Sequence, residues 1–446
     1  MTSVAAPLAR HGTFRSLRGY NYRVWAVGAL VSNIGTWMQR TAQDWIVLTQ
    51  LTNHNATSVG VVMSLQYGPH VLLLPLTGFA ADHFDRRRIL FVTQAMLGAL
   101  ALGLGLLTLT GLIQLWHVYL FAFLLGCASA FDAPARQTFV AELVSEADLP
   151  NAVGLNSTSF NAARMIGPAV AGVLVAAVGS GWVFLCNAAS FVAVLAALAL
   201  LRTRELHVKP RAGRSRGSLV EGLRYAWNRP DLRALLAMVF LFGTFGLNFP
   251  IFISTMSVTV FHAGASQFGL LTSIMAIGTV AGALLSARRE TPRLSVVLVG
   301  SGVFGAGLIL AALMPNYWLF GLALVVIGVA AQTTTTANST LQLSTDPVMR
   351  GRVMALFLAI ALGGTPLGAP IVGWVADKFG PRWSLGVGAA GGLGAALIGL
   401  HYLWTYKHLR LRLAAGWPRL TMDTPGAASG PGPEALVPGL ATQAVK

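Results

Sequence analysis

Ionisable and amide side chains occur inside long apolar stretches of this sequence, where they are costly unless they face a cavity or a partner. Asn33, Trp37, Arg40 and Asp44 follow the spacing i, i+4, i+7, i+11 and so lie on one face of a helix. A carboxylate beside an arginine can alternate between pairing with it and holding a proton. Arg40 and Asp44 are therefore candidates for ion coupling or gating, with a structural ion pair as an equal alternative.

Further polar groups interrupt apolar stretches of the first half. Asp132 and Arg136 are one helical turn apart, and Asn161 and Arg164 share a helix face. We expect Arg164 to face a cavity as a substrate or coupling residue. His70 titrates near neutral pH, but a hydrogen-bonded packing role is the alternative. The second half offers neutral groups, chiefly Gln332, Thr333 to Thr336 and Asn338. The first half is therefore expected to carry ion coupling.

The sequence contains no nucleophile elbow, phosphate-binding loop or metal-ligand spacing. We therefore expect no enzyme activity, no metal and no cofactor, and an ion gradient rather than ATP as the energy source. Cys127 and Cys186 both lie within apolar segments, so we interpret them as small packing residues rather than a disulfide.

The segments that must position these groups have the composition of membrane helices. Of the 446 residues, 55% are hydrophobic and 10% are charged, whereas a soluble domain has about 25% charged residues. Segments of roughly 20 apolar residues, enough to cross about 30 Å of hydrocarbon, recur along the chain. They are placed at 24–48, 58–81, 89–111, 116–138, 152–178, 181–201, 234–257, 266–287, 294–314, 317–341, 353–376 and 383–404.

This pattern predicts an all-α polytopic membrane protein with twelve transmembrane helices in two six-helix bundles. The predicted regions are a cytoplasmic N-terminal tail (1–23), an N-terminal bundle (24–201), a basic cytoplasmic linker (202–233), a C-terminal bundle (234–404) and a disordered cytoplasmic tail (405–446). The linker is expected to contain a short amphipathic helix near 219–227. Four residues in the region of the fifth span recur near the eleventh at an offset of 201, namely Gly167, Gly172, Gly179 and Trp182 as Gly368, Gly373, Gly380 and Trp383.

The loop charges predict the orientation. Arg86 to Arg88 and the loops 202–233, 288–293 and 350–352 are basic, whereas the alternate loops are almost uncharged. Both termini are therefore expected in the cytoplasm, in a multi-pass protein of the cell membrane. The net charge of +16 has this membrane explanation, so no nucleic-acid partner is expected. Asp377, Lys378 and Arg382 break the rule on the outer side, and a re-entrant or miscounted segment would explain them.

The loop from Gly78 to Arg88 reads G-x-x-x-D-x-x-x-R-R-R. It resembles the loop between the second and third helices of major facilitator superfamily transporters, with His83 and Asp85 as departures from the usual pattern. The resemblance implies that Gly78 lets two helices approach and that Asp82 sits at a helix end. It also implies a conformational lock at the inner end of the bundle, formed by Gly78, Asp82, Arg86, Arg87 and Arg136.

Four segments resemble the branch of this superfamily that includes the enterobactin exporter and related bacterial efflux proteins. They are 131–137 (FDAPARQ), 151–157 (NAVGLNS), 163–168 (ARMIGP) and 187–191 (NAASF). Gly167, Pro168 and Gly172 look like the fifth-helix motif associated with antiporters, with a tightly packed glycine-rich span as the alternative. A basic residue that many drug exporters carry early in the fourth helix is missing from 121–126, which puts their detailed proton mechanism in doubt for this chain.

The leading interpretation is proton-coupled export, or antiport, of small amphipathic compounds such as drugs, siderophores or secondary metabolites, by alternating access. The expected partners are a small-molecule substrate, protons and the lipid bilayer, and the protein is expected to be a monomer. A lipid or lysolipid flippase is the alternative within transport. A membrane scaffold or sensor without transport is the alternative from another class.

Overall fold

A computed structural model describes residues 13–207, 219–287, 294–407, 410–413 and 420–423. Apolar segments that cross hydrocarbon must satisfy their backbone hydrogen bonds internally, and the helix does this within a single segment. The first half forms helices α1 Tyr20–Thr49, α2 Ala56–Leu72, α3 Leu74–His83, α4 Arg86–Leu109, α5 Leu115–Leu143, α6 Leu149–Val178 and α7 Ser180–Leu200. Short 3-10 turns at Arg15–Arg18 and Thr203–Glu205 flank this half.

The second half continues the helical pattern. Its helices are α8 Leu219–Asn228, α9 Pro230–Leu241, α10 Phe249–Thr255, α11 Ala265–Ala287, α12 Leu294–Leu313, α13 Tyr317–Ala331, α14 Thr333–Ser344, α15 Arg350–Phe379 and α16 Pro381–Lys407. Two π-helical turns, Phe242–Gly246 and Met256–Val260, join α9 and α10 into one span, Pro230–Val260. Helix α8 coincides with the short helix expected in the linker, and linker residues 208–218 lie outside the described residues.

The described helices are compatible with the twelve predicted spans. Ten described helical stretches are long and apolar enough to cross a membrane, and α2 with α3 makes an eleventh that is bent by 57°. The bend at Leu73 follows Pro69 and precedes Pro75, and proline removes a backbone hydrogen bond and breaks a helix. Helix α1 has 30 residues, about 45 Å at 1.5 Å per residue, which is long enough to be the twelfth span. The prediction of an all-α polytopic membrane protein is confirmed.

Each half packs mainly on itself. Helix α1 packs on α6 and α7, and α4 packs on α5 and α7, while in the second half α12 packs on α13 and α16. Two extensive contacts join the halves, one between α2 and α15 and one between α6 and α11. Lipid tails are as apolar as the helix surfaces, so close packing through small residues stabilises such contacts.

Repeated glycines take the same place in both halves. Gly179 ends α6 with φ +89° and Gly380 ends α15 with φ +98°, a left-handed conformation that favours glycine after a helix. A Cβ on Gly172 would lie 2.7 Å from the carbonyl oxygen of Ala265 in α11, and one on Gly373 would lie 2.8 Å from Cα of Thr57 in α2. The offset of 201 residues therefore marks corresponding positions at the two contacts between the halves.

The larger apolar core continues across these contacts. It includes Met38 and Ala171 of the first half together with Phe268 and Val372 of the second. A second core, which includes Trp25, is confined to the first half. The first half therefore has both a core of its own and a share of the joint core.

Two short strands follow the last helix. Strands β1 Arg410–Leu413 and β2 Leu420–Asp423 pair antiparallel, with Arg410 opposite Asp423. The other residues after Lys407 lie outside the described residues. The predicted disorder of the C-terminal tail stays a prediction for them.

Candidate functional site

A cavity of about 740 Å³ lies within the first half, and every residue that lines it comes from residues 33–191. We call the end of the bundle where α1 begins the proximal end, and the end where α1 finishes the distal end. The cavity wall is polar on several helices and includes Asn33, Arg40, Gln43, His70, Asp132 and Arg136. These groups make the cavity the candidate site, because polar and ionisable side chains inside a membrane bundle mark substrate or ion pathways.

Helix α1 supplies one wall of the cavity through residues spaced by three or four positions. Asn33, Arg40 and Gln43 line the cavity, as their spacing on one helix face predicts. Gln39 lies beside them and accepts a hydrogen bond at 2.5 Å from Nδ2 of Asn187 in α7. This buried bond fixes the rotation of α1, so its polar face stays turned toward the cavity.

Asp132 of α5 is held by donors from two helices. Thr93 Oγ1 and Gln94 Nε2 of α4 donate to its Oδ1 at 2.8 and 2.6 Å, and Nε of Arg136 donates to its Oδ2 at 3.0 Å. Arg136 also donates to Oδ1 of Asn33 at 3.2 Å. The pairing of Asp132 and Arg136 agrees with their one-turn spacing. Sequence reasoning missed the two donors, although adjacent polar residues in the apolar segment 89–111 were a usable signal.

The structure gives Arg40 a closer partner than Asp44, the expected one. The described ion pairs do not include one between these side chains, although both lie on α1. Arg40 instead turns toward α2, where its Nη1 donates to Oη of Tyr67 at 3.2 Å. Its guanidinium also lies over the ring of Trp37 at 5.2 Å. Helical spacing predicted the shared face but gave no information on the aromatic partner from another helix.

The remaining first-half candidates lie in or beside the cavity. Asn161 and His70 line it, and His70 Nε2 is 3.5 Å from Oγ of Ser129. Arg164 does not line the cavity but lies behind its wall, with its guanidinium 5.5 Å from the ring of Trp37. The expected direct exposure of Arg164 to the cavity is therefore not seen, because α6 turns this residue toward α1.

The neutral candidates of the second half are not brought to this cavity. Gln332 lies at the junction of α13 and α14 and accepts a hydrogen bond from Thr335 Oγ1 at 3.0 Å. Asn338 accepts one from Gln342 Nε2, also at 3.0 Å. Both therefore hydrogen-bond within their own half in the described structure.

Four of the five residues of the expected lock lie on either side of the proximal loop, Gly78 and Asp82 in α3 and Arg86 and Arg87 in the first turn of α4. The side chain of Asp82 lies outside the described residues. Among the described residues nothing lies within 4 Å of a Cβ placed on Gly78, so the close helix approach that the resemblance implies is not present there. Arg86 pairs with Glu142 of α5, and Nε of Arg87 donates to the carbonyl of Leu198 at 2.9 Å. These arginines fasten the proximal end of the first half.

Asp85 and Glu142 are two carboxylates at the proximal end whose roles the sequence did not predict. Asp85 stands where the family pattern has glycine, and its Oδ1 accepts a hydrogen bond at 2.9 Å from the amide of Arg88. It therefore caps α4. Glu142 lies at the end of α5 with 6% of its surface exposed, a burial that its pairing with Arg86 makes tolerable.

At the distal end, Asp377 of α15 binds the start of α2. Its Oδ1 accepts from the amide of Ala56 at 2.7 Å, and its Oδ2 accepts from the amide and hydroxyl of Thr57 at 2.9 and 2.5 Å. Arg382 donates to the carbonyls of Ala312 and Met314 at the end of α12, at 3.1 and 3.3 Å. Each charge thus complements a helix dipole. Two of the three charges that broke the loop rule, Asp377 and Arg382, therefore bind helix ends, so a re-entrant segment is not needed to explain them.

The antiporter-like motif packs α6 against two helices. A Cβ on Gly167 would lie 2.6 Å from Cβ of Trp37 in α1, and Gly172 faces α11 of the other half. Pro168 lies between them inside α6. The motif therefore sits where the wall of the cavity meets the contact between the halves.

A protein family described as transmembrane secretion effector matches residues 3–422. The chain belongs to this family. It is thus a transporter of the major facilitator superfamily, as the sequence predicted.

Three relatives resemble this chain over most of its length. The staphyloferrin A transporter of Staphylococcus aureus is 27% identical, covering 78% of this chain and 87% of its own. The multidrug efflux pump Tap of Mycolicibacterium fortuitum is 26% identical, covering 79% and 88%. The enterobactin exporter EntS of Shigella flexneri is 26% identical, covering 82% and 87%. The resemblance to the efflux branch is therefore confirmed.

Solved structures share the fold. A POT family transporter in complex with 5-aminolevulinic acid gives a TM-score of 0.70 at 13% identity, covering 88% of this chain and 99% of its own. A bacterial homologue of the human lysosomal transporter Spinster, inward-facing and occupied, gives 0.67 at 17% identity, covering 89% and 98%. At these identities the likeness concerns the fold alone.

Proposed function

We propose that this transporter exports small amphipathic compounds, with the proton gradient as the driving force. The observation that carries the proposal is the cavity of about 740 Å³, whose wall holds the hydrogen-bonded pair of Asp132 and Arg136. Titratable groups in the cavity wall can couple proton movement to substrate binding. The relatives named as a siderophore exporter and a multidrug efflux pump support export as the direction.

Alternating access is the proposed mechanism. The described contacts between the halves include the cap of α2 by Asp377, and the hydroxyl of Ser64, which donates to the carbonyl of Pro366 at 2.7 Å. Gly172 packs against α11 as a second contact. We propose that these contacts separate when the cavity opens toward the distal side and form again when it closes. A lock between Asp82 and Arg136 at the proximal end would act in the opposite phase.

We also propose the placement of the protein in the cell. A monomer in the plasma membrane, with both termini in the cytoplasm, agrees with the basic loops at the proximal end. The distal end then faces outward, and rocking of the two halves about the cavity moves substrate from the cytoplasm to the outside.

The test is a comparison of a strain that lacks the gene with the same strain carrying it on a plasmid. We expect a set of amphipathic metabolites or drugs to accumulate in the deleted strain and to be exported when the gene is restored. A protonophore should abolish that export. Identical metabolite profiles and drug sensitivities in the two strains would contradict the export function, and export that survives the protonophore would contradict proton coupling.

A further inference from the structure

A buried amide in the cavity wall has no partner. Gln43 has 1% of its surface exposed, and both its Nε2 and its Oε1 lack a hydrogen-bond partner among the described residues. Gln43 lines the cavity. Leaving a buried polar group unpaired is unfavourable, so this amide can be satisfied by a ligand that offers an acceptor to the nitrogen and a donor or water to the oxygen.

Arg40 stands one turn before Gln43 on the same helix face, and it is only partly satisfied. Its one described hydrogen bond goes to Tyr67, whereas a guanidinium has five N–H donors. A planar guanidinium with free donors is suited to a carboxylate, which can accept two parallel hydrogen bonds from it. Arg40 and Gln43 together therefore present donors to the same part of the cavity.

A second arginine adds to the positive charge at this place. The guanidinium groups of Arg40 and Arg164 both lie over the ring of Trp37, at 5.2 and 5.5 Å. The described hydrogen bonds and ion pairs give Arg164 no acidic partner. Two positive charges beside one ring repel each other, and an anion bound at Arg40 reduces that repulsion.

The charge of the cavity wall has the same sign. Arg40 and Arg136 stand against Asp132, which leaves one positive charge in excess when His70 is neutral. Asp132 is already occupied by Arg136 and its two donors from α4. Asp44 is not among the residues that line the cavity. Asp44 acts electrostatically on Arg40 from one turn further along α1, and Arg40 is the arginine of the cavity wall that has no described ion pair with a lining carboxylate.

An apolar surface lies beside these donors. Phe160 lines the cavity, has 46% of its surface exposed and packs edge-on against Trp37 with ring centroids 5.8 Å apart. An aromatic or unsaturated ligand body can stack on this ring. The same cavity is therefore lined by the donors of Arg40 and Gln43 and by an aromatic ring, a combination that suits a molecule with an acidic head and an apolar body.

We propose that this cavity binds amphipathic carboxylates, with the carboxylate held by Arg40 and Gln43 and the apolar body against Phe160. The inference rests on the proposed function as an exporter and names the substrate class of the same cavity. Arg164 acts as a positioning residue that raises the positive potential at Trp37 without touching the ligand.

The test uses three matched probes on the full chain purified into lipid nanodiscs. Naphthoate, naphthamide and naphthylmethylammonium share one ring system and differ in charge, and their affinities are measured by equilibrium dialysis. We expect naphthoate to bind at least about tenfold more tightly than naphthamide, because a charge-assisted hydrogen bond is about twice as strong as a neutral one. Naphthoate that binds no more tightly than naphthamide, or does not bind, would overturn the proposal, as would a preference for the ammonium probe.

Two variants remove the site in different ways. Arg40→Gln removes the charge, and Gln43→Glu keeps the size of the side chain but places a carboxylate beside Arg40. Each should weaken naphthoate binding at least about tenfold and change naphthamide binding less than about threefold. Lys378→Gln removes an exposed positive charge at the distal end and should leave all three affinities unchanged. If Arg40→Gln or Gln43→Glu keeps the wild-type melting temperature and binds naphthoate as tightly as the wild type, the carboxylate is not held by that residue.

The outcome separates the two proposals. Naphthoate binding that depends on Arg40, in a protein whose gene changes no compound's export, supports the carboxylate site and removes the transport proposal. Export of compounds by cells, with naphthoate no better bound than naphthamide, keeps the exporter and removes the carboxylate site.

Discussion

Single side chains of the first half connect its helices through the cavity wall. Asp132 accepts hydrogen bonds from α4, pairs with Arg136 on its own helix, and is linked through Arg136 to Asn33 of α1. A carboxylate in this position connects three helices, so a change in its protonation or pairing alters how they fit together. It is therefore the first candidate for coupling.

Asp132→Asn keeps the shape of the side chain and removes its charge. We expect the variant to lose uphill export driven by a pH gradient while substrate binding stays measurable. The reason is that asparagine cannot alternate, as a carboxylate can, between pairing with Arg136 and holding a proton. Uptake into inverted vesicles with an imposed pH gradient measures this. Retained gradient-driven uptake would pass the coupling role to Asp44 or His70.

The loss of the charge also leaves Arg136 partly buried without a carboxylate, and breaking a buried pair costs about 3–5 kcal/mol. The double variant Asp132→Asn with Arg136→Gln removes both charges and is the control for stability. A coupling defect that the double variant shares, at a wild-type melting temperature, is a defect of proton chemistry rather than of folding.

At the scale of helices, two contacts hold the halves together and both involve helix ends or small residues. Helix α2 begins under the carboxylate of Asp377, which belongs to α15. Helix α6 meets α11 at Gly172 and Gly269. Larger side chains at Gly172 or Gly269 would push α6 and α11 apart. Loss of the charge at position 377 would remove the contact between α15 and the start of α2.

Asp377→Ala removes the cap between the halves. Loss of an N-cap costs about 0.5–2 kcal/mol, so the distal end should open several-fold more often. A cysteine at Gln66, which lines the cavity, should then react faster with an impermeant thiol reagent added outside cells. The neighbouring Lys378→Ala is the control. Equal labelling rates in the two variants would mean that the cap does not hold the distal end closed.

Gly172→Ala adds a methyl group that meets the carbonyl oxygen of Ala265 at 2.7 Å. Because backbone lies on the other side, the two helices must move apart, and we expect the initial rate of export to fall several-fold. Gly154→Ala in the same helix is the control, since among the described residues nothing lies within 4 Å of its added Cβ. A Gly172→Ala protein that exports at the rate of the control would show that close contact of α6 and α11 is not required.

The sequence predicted the helices well because apolar length decides them, but it did not predict what breaks or joins them. The segment 58–81 was predicted as one continuous span, whereas the structure bends it at Leu73 between Pro69 and Pro75. The cap by Asp377 could not be predicted, because its partners lie 320 and 321 residues away in the chain. Periodicity describes a helix face but not the helix that faces it.

The same limit explains the candidate site. Asn33, Arg40, His70, Asp132 and Asn161 were predicted from polar residues in apolar segments, and the structure places them on one cavity wall. Gln43 was not predicted, because it adjoins the charged residue Asp44, which is the stronger sequence signal in an apolar segment. The contact of Arg40 with Tyr67 could not be predicted, because Tyr67 lies on another helix and the spacing of residues within α1 carries no information about it.

At the scale of the whole molecule, the two halves differ in polarity although they share a repeat. The described cavity and its charges belong to the first half. The second half contributes Asp377 and close-packed surfaces to the contacts between them. We infer that the first half binds and couples while the second half mainly closes against it.

Orientation is tested with single cysteines in a chain that lacks the free thiols of Cys127 and Cys186. A cysteine at Asn53, before α2, should react with an impermeant reagent outside intact cells, and one at Ser215 in the linker should not. The basic proximal loops are the physical reason, since positively charged loops remain in the cytoplasm. Labelling of Ser215→Cys but not Asn53→Cys would invert the topology and turn export into uptake.

Synthesis of the chain leaves the start of α2 without its cap from the other half for most of the time on the ribosome. Asp377 follows the amides of Ala56 and Thr57 by 321 and 320 residues, which takes roughly 16 to 64 s at about 5–20 residues per second. Meanwhile Asn55, whose Oδ1 accepts from the amide of Ser58 at 2.8 Å, holds the first turn. The first half can therefore insert and close its own polar contacts long before α15 exists, and the contact between Asp377 and the start of α2 can form only when translation is nearly complete.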